Sequence, residues 1–236
     1  MATSQKIRIA SYMVDMRKKL RISSFMDIAQ QIAEDDSEAM AYGYNDLIKN
    51  HDVWILSRMS ISMTRLPEFK EWVMLKTWHV RTDGPYFIRK YEISDERGSL
   101  LLESDSAWAI MNLDNRTVVR PSRYGMPDNP SAPQSAGIPQ KIRIPKEAVL
   151  VSSEPRKPRY SDVDYNSHVN NVKYLVWALD SLGDIPYGRD FSEVSLNFNH
   201  ELKPSDTAEI QVLEHEGILY VSVGNEDRQA FVAAFK

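Results

Sequence analysis

Tyr160-Ser161-Asp162-Val163-Asp164-Tyr165-Asn166-Ser167-His168-Val169-Asn170-Asn171-Val172-Lys173-Tyr174 carries two patterns back to back. Acid, amide and imidazole side chains alternate up to His168. Val169, Val172, Val176 and Leu179 then fall on one helical face, with Gly183 where a helix end belongs. A spacing of two puts Asp164, Asn166 and His168 on one side of an extended segment. With a helix beginning at Ser167 or His168, the free amides of its first turn would lie beside them and could polarise a carbonyl. A carboxylate, an amide and an imidazole can together hold and activate a water, which is hydrolytic chemistry at an acyl group. The same residue types also cap helices, and spacing alone leaves both readings open.

Working outward, the order of elements repeats. Alternation at Ile7, Ile9 and Met13 predicts a first strand. Ser23 or Ser24 is placed to cap a helix whose face is Phe25, Ile28, Ala29, Ile32 and Ala33. A short helical turn is expected at 45–50. Period-two patterning follows at 54–66, 70–82, 85–95 and 99–112, separated by turn chemistry such as Asp83-Gly84-Pro85. The second half predicts a strand at 148–154, a helix at 168–182, and strands at 192–203, 207–215, 217–224 and 228–235. The turns there include Glu214-His215-Glu216-Gly217 and Gly224-Asn225-Glu226-Asp227.

Between the halves lie Pro121, Pro127, Pro130, Pro133, Pro139 and Pro145, half of the chain's 12 prolines. They rule out a helix and predict an extended linker over 116–147. The expected class is therefore α+β, with a first domain at 1–115 and a second at 148–236. Two copies of strand, helix and antiparallel strands imply an internal duplication. An offset of 136 lays Arg65-Leu66 over Glu201-Leu202.

Composition excludes several functions. The 236 residues carry a net charge of −4 without a strongly basic half, so no nucleic-acid partner is expected. There is no cysteine, which removes disulfides, thiolate metal sites and a thiol nucleophile. No apolar run reaches a membrane span, and no apolar signal region follows Met1, which points to a cytoplasmic protein. Asp162, Asp164 and Asn166 match the first ligands of a calcium loop. Ser167 then replaces its glycine and Lys173 its bidentate glutamate, so no metal site is expected. A Gly-x-Ser-x-Gly elbow, a zinc helix and a phosphate loop are all missing, and no cofactor is implied.

The run from Asp162 to Tyr174 closely resembles the signature of the acyl-acyl carrier protein thioesterases, relatives of the 4-hydroxybenzoyl-CoA thioesterases. The resemblance implies two tandem hotdog folds, each a central helix wrapped by an antiparallel sheet. It implies hydrolysis of acyl-acyl carrier protein with release of free fatty acid. The alternatives are an acyl-CoA thioesterase and a non-catalytic acyl-binding hotdog protein. Carried over residue by residue, it makes Asp164, Asn166, His168 and Glu201 catalytic. Many plant relatives have a cysteine directly after this glutamate; Leu202 stands there in this chain. Which residue is the general base stays open. Strand parity would put Glu201 with Asn197 and Asn199, away from Val194, Leu196 and Phe198, unless a bulge or the strand end near Pro204 turns it.

The duplication makes Arg65 the first-half counterpart of Glu201, and Ser23-Ser24-Phe25 lacks the polar array. The first half is therefore expected to supply an acyl-chain pocket, with Phe25, Met26, Ile28, Trp54 and Met59 as candidate lining. The implied partner is acyl carrier protein bearing an acyl-phosphopantetheine. Its acidic surface would meet Arg156 and Lys157 first, and Arg17-Lys18-Lys19 with Arg21 second. A homodimer is compatible with such a chain.

Overall fold

A computed structural model describes residues 2–129, 137–225 and 228–236. It divides into a unit ending at Pro139 and a second from Gln140 to Lys236. In the first unit, β1 (Thr3–Arg8) leads to α1 (Ile22–Ala39) and the short α2 (Tyr44–Leu47). Then come β2 (Asp52–Met63), β3 (Trp72–Asp83), β4 (Tyr86–Asp95), β5 (Leu100–Asn112) and the two-residue β6 (Val118–Val119). The strands lie in the order β1-β3-β4-β5-β2, all antiparallel, with β6 on β5. Alternating side chains of this sheet and the apolar stripe of α1 bury each other. Phe25, Met26, Ala29 and Ile32 are at most 1% exposed, whereas Asp27, Gln31 and Glu34 face water.

In the second unit, β7 (Val149–Arg156) is followed by α3 (Asn171–Ser181) and the short α4 (Ile185–Gly188). Next are β8 (Glu193–Phe198), β9 (Ala208–His215), β10 (Ile218–Gly224) and β11 (Gln229–Phe235). Their order is β7-β9-β10-β11-β8. Each unit thus places its first strand at one end of its own sheet and its second at the other, with the helix between them in sequence. The shared strand order establishes the duplication that side-chain identity barely shows.

Three expectations need correction. Neither Ser23 nor Ser24 caps α1: the helix begins at Ile22, and both serines are buried inside it. The Arg21 amide donates to the Met13 carbonyl, which brings the chain into the helix earlier than the serines would. Next, 116–147 is not a free connection. Val119 and Met126 join Leu47, Phe87 and Ile110 in one apolar cluster. The Tyr124 hydroxyl donates to Asp52 at 2.5 Å, and the Asn129 amide donates to the Val80 carbonyl. Ile138 packs against the cluster of Trp78, Val80, Ile88 and Ala107. Val119, Tyr124, Met126, Asn129 and Ile138 thus tie their parts of this stretch to the first unit, because proline bars a helix but not packing. From Gln140 the chain belongs to the second unit, where the Ile142 amide donates to Asn197 Oδ1. Pro130, Pro133, Glu226 and Asp227 lie outside the described residues. Finally, α3 begins at Asn171 rather than near His168, with Asn170 as its cap.

Candidate active site

The approach to α3 is built by two aspartates with different tasks. Asp162 is 4% exposed. Its Oδ2 accepts the Arg159 amide at 2.8 Å, and its Oδ1 accepts Trp177 Nε1 at 3.3 Å. It therefore ties the loop to the helix. Arg156 turns towards the same anchor, 3.8 Å from Asp162 and stacked over the Trp177 ring. Arg156 is thus held half-buried against Asp162 and Trp177, whereas Lys157 is exposed.

Asp164 organises the next turn. Its amide donates to the His168 carbonyl, and its Oδ1 accepts the amides of Asn166 at 2.8 Å and His168 at 3.5 Å. Ser167 closes the turn in the left-handed region at φ +64°, and a bridge between Val163 and Val169 seals it. The Asn170 side chain then accepts the Val172 amide at 2.9 Å as the helix cap. Asn166 lies at the exposed tip of the turn, held there through its backbone amide.

Glu201 arrives by another route. β8 ends at Phe198, so strand parity no longer governs where Glu201 points. The amides of Asn199 and His200 both turn onto the Ala230 carbonyl. Leu202 is then clamped: its amide donates to the Tyr174 hydroxyl at 2.8 Å, and its carbonyl accepts the Val169 amide at 2.9 Å. This brings Glu201 Oε2 to 3.5 Å from His168 Nε2, with the two side chains 34% and 21% exposed. An imidazole and a carboxylate thus meet at a half-buried position open to water, where charges interact more strongly than at the surface. Among the described residues, no group of three or more His, Asp or Glu side chains is placed to hold a metal ion.

Tyr174 closes the sequence signature but lies outside the helical face of Val169, Val172, Val176 and Leu179 that periodicity predicts. Burial raises its pKa, so it stays protonated, and its oxygen receives the Leu202 amide. Tyr174→Phe is expected to leave that buried amide unsatisfied. Stability should fall by about 1–3 kcal/mol. Urea denaturation of the purified variant beside the parent checks this.

The first unit has no carboxylate in the place of Glu201. The Thr64 and Arg65 amides both reach the Leu101 carbonyl, as Asn199 and His200 reach Ala230, and the Leu20 amide donates to the Pro67 carbonyl, as Val169 does to Leu202. These bonds make Leu66, not Arg65, the first-unit counterpart of Glu201; Arg65 pairs with Glu71 instead. Phe25, Met26 and Met59 are buried in that unit and Ile28 is half-buried. Trp54 is half-buried too, its ring against Phe87 and its Nε1 donating to the Tyr42 carbonyl.

A family model described as the acyl-ACP thioesterase N-terminal domain matches residues 1–122, and one described as its C-terminal domain matches 147–230. The chain belongs to the acyl-ACP thioesterase family. Among curated relatives of this family, it is 29% identical over 190 residues to an acyl-[acyl-carrier-protein] hydrolase, FATB1, of Cuphea viscosissima, covering 74% of this chain and 45% of that one. It is 25% identical over 222 residues to oleoyl-acyl carrier protein thioesterase 2 of Arabidopsis thaliana, covering 86% and 60%. The chain spans about half the length of the first curated relatives it matches. Its fold is that of the 12:0-ACP thioesterase from Umbellularia californica, with a TM-score of 0.87 at 18% identity over 100% of this chain and 96% of that one. An acyl-ACP thioesterase from Bacteroides thetaiotaomicron gives 0.85 at 20% identity over 99% and 96%. The acyl-ACP thioesterase fold, two hotdogs in tandem, is thus the architecture of this chain.

Proposed function

We propose that the chain hydrolyses the thioester of acyl-acyl carrier protein and releases a free fatty acid. The observation that carries this is the approach of His168 Nε2 to Glu201 Oε2, from segments 33 residues apart, at the end of a family-specific loop. In this reading, water held between Glu201, His168 and the Asp164 carboxylate attacks the thioester carbonyl and gives up its proton to the pair. The exposed Asn166 amide receives the carbonyl oxygen as charge develops there. The C–S bond then breaks, the pantetheine sulfur leaves as a thiolate that takes up the proton, and the carboxylic acid departs. No covalent acyl intermediate is required. Leu202 has no nucleophile to offer, and its side chain is 5% exposed.

The second unit holds this chemistry, and the first accommodates the acyl chain, with Phe25, Met26, Ile28, Trp54 and Met59 as its proposed lining. A groove lined by Glu154 to Arg159 precedes the catalytic loop, and the exposed Lys157 and Arg159 on it suit an acidic carrier. The test is free fatty acid release from carrier thioesters of graded length, beside the matching CoA thioesters. A higher kcat/KM on the carrier is expected, with Lys157→Glu raising KM for the carrier alone. Equal kcat/KM on CoA would transfer the assignment to acyl-CoA, and chain binding without release would reduce the protein to an acyl-binding module.

A further inference from the structure

The first unit contains a twin of the catalytic loop. Residue for residue, Ser11–Leu20 repeats Tyr160–Val169. Each begins with a 3₁₀ turn, Ser11–Met13 in one and Tyr160–Asp162 in the other. Each is sealed by a bridge across six residues, Val14 to Leu20 and Val163 to Val169. The Asp15 amide donates to the Lys19 carbonyl at 2.9 Å, and the Asp164 amide to His168 at 2.9 Å. Lys18 and Ser167 donate to the carbonyls of these two aspartates, and both sit in the left-handed region, at φ +63° and +64°. The Arg21 amide returns to Met13 as that of Asn170 returns to Asp162.

The twin lacks the hydrolytic side chains. Arg17 stands in the place of Asn166, Lys19 in that of His168, and Leu66 in that of Glu201. The aspartate alone remains, and one of its oxygens keeps the same contacts. Asp15 Oδ1 accepts the Arg17 amide at 2.9 Å and the Lys19 amide at 3.1 Å, as Asp164 Oδ1 accepts those of Asn166 and His168. The other oxygens differ. Asp15 Oδ2 is taken by Arg17 Nε at 3.0 Å. Asp164 Oδ2 has no hydrogen-bond partner among the described residues.

We infer that Asp164 does two separable jobs: Oδ1 holds the loop, as Asp15 does in a unit without the chemistry, while Oδ2 accepts a hydrogen bond from the attacking water. The first unit is a control built into the same chain. A carboxylate kept for hydrolysis alone would have nothing to do there, yet Asp15 makes the loop-fixing bonds. The pairing of its second oxygen with Arg17 closes the position that Asp164 leaves open. The Oδ2 half of this inference rests on the hydrolytic reading; the Oδ1 half does not.

Four variants of the full chain test it: Asp15→Ala, Asp15→Asn, Asp164→Ala and Asp164→Asn. Asparagine can keep an acceptor oxygen at Oδ1 while replacing the carboxylate oxygen at Oδ2 with an amide. Amide hydrogen exchange over 15–21 and 164–170 reads the first job. Each alanine should speed exchange in its own loop by about fivefold or more, and each asparagine should leave it within about twofold. The second job is read by kcat on a carrier thioester. Both Asp164 variants should lose about a hundredfold or more, and both Asp15 variants should match the parent. Unchanged exchange in Asp15→Ala, or an Asp164→Asn loop as mobile as that of the alanine variant, would overturn the Oδ1 assignment. Parent-like kcat in Asp164→Asn would overturn the Oδ2 assignment. A parent that hydrolyses no thioester would remove the function and the Oδ2 half together, while exchange still decides the loop.

Discussion

His168→Ala and Glu201→Gln are each expected to lower kcat on a carrier thioester by about a thousandfold, with KM little changed. The double variant should fall no more than about tenfold below the weaker single. The reason is the 3.5 Å approach of Nε2 to Oε2. Two groups that handle one proton act as a unit, and removing either disables both. Glu201→Gln is the sharper probe of the two, since it keeps the shape of the side chain and leaves the Leu202 clamp intact. Full multiplication of the two losses would mean that the residues serve different steps. A large rise in KM with kcat preserved would assign them to substrate binding instead.

The legible and illegible parts of this site differ in which atoms carry them. The strands and helices followed from side-chain periodicity because an apolar face must be buried. The candidate array of Asp164, Asn166 and His168 is visible because all three stand within five residues. Glu201 was named by resemblance, but its direction was hidden, because parity fails once β8 ends at Phe198. The helix start was misplaced by three residues, since a backbone turn around Asp164 uses up 164–169 before Asn170 can cap. The twin loop at 11–20 is not legible in the sequence. Its likeness to 160–169 lies in amide and carbonyl bonds, whereas its side chains changed from amide and imidazole to Arg17 and Lys19. The hold on Arg156 is illegible for a related reason: charge is visible in a sequence, but the aromatic ring and carboxylate that steady it are not.

The largest loss of stability is expected at a buried ion pair in the first unit. Asp36 on α1 and Arg89 on β4 meet at 2.6 Å, with side chains 5% and 7% exposed. Asp36 also accepts the Thr3 hydroxyl, and Arg89 donates to Thr77 and Ser37. Asp36→Ala should cost about 3–5 kcal/mol in chemical denaturation, because it strands a guanidinium away from water. Adding Arg89→Met should recover much of that loss, since the stranded charge is removed with its partner. A double variant no more stable than Asp36→Ala would show that packing around the pair, not the charge, sets the cost. Acid should strain the same cluster. Burial first, and then the Arg89 charge, push the neighbouring His79 from its ordinary value of 6.5 down to about 4. Above pH 6.5 His79 is neutral in both folded and unfolded chains. As pH falls from about 6.5 towards 4, only the unfolded chain takes up the proton, so up to about 3 kcal/mol of stability is lost across that window. Asp36 opposes the shift by favouring the charged imidazole. Asp36→Ala should therefore drive the His79 pKa lower still and extend the acid-sensitive window below pH 4. A titration of stability against pH that is flat from 6.5 to 4 in both proteins would contradict this account of the cluster.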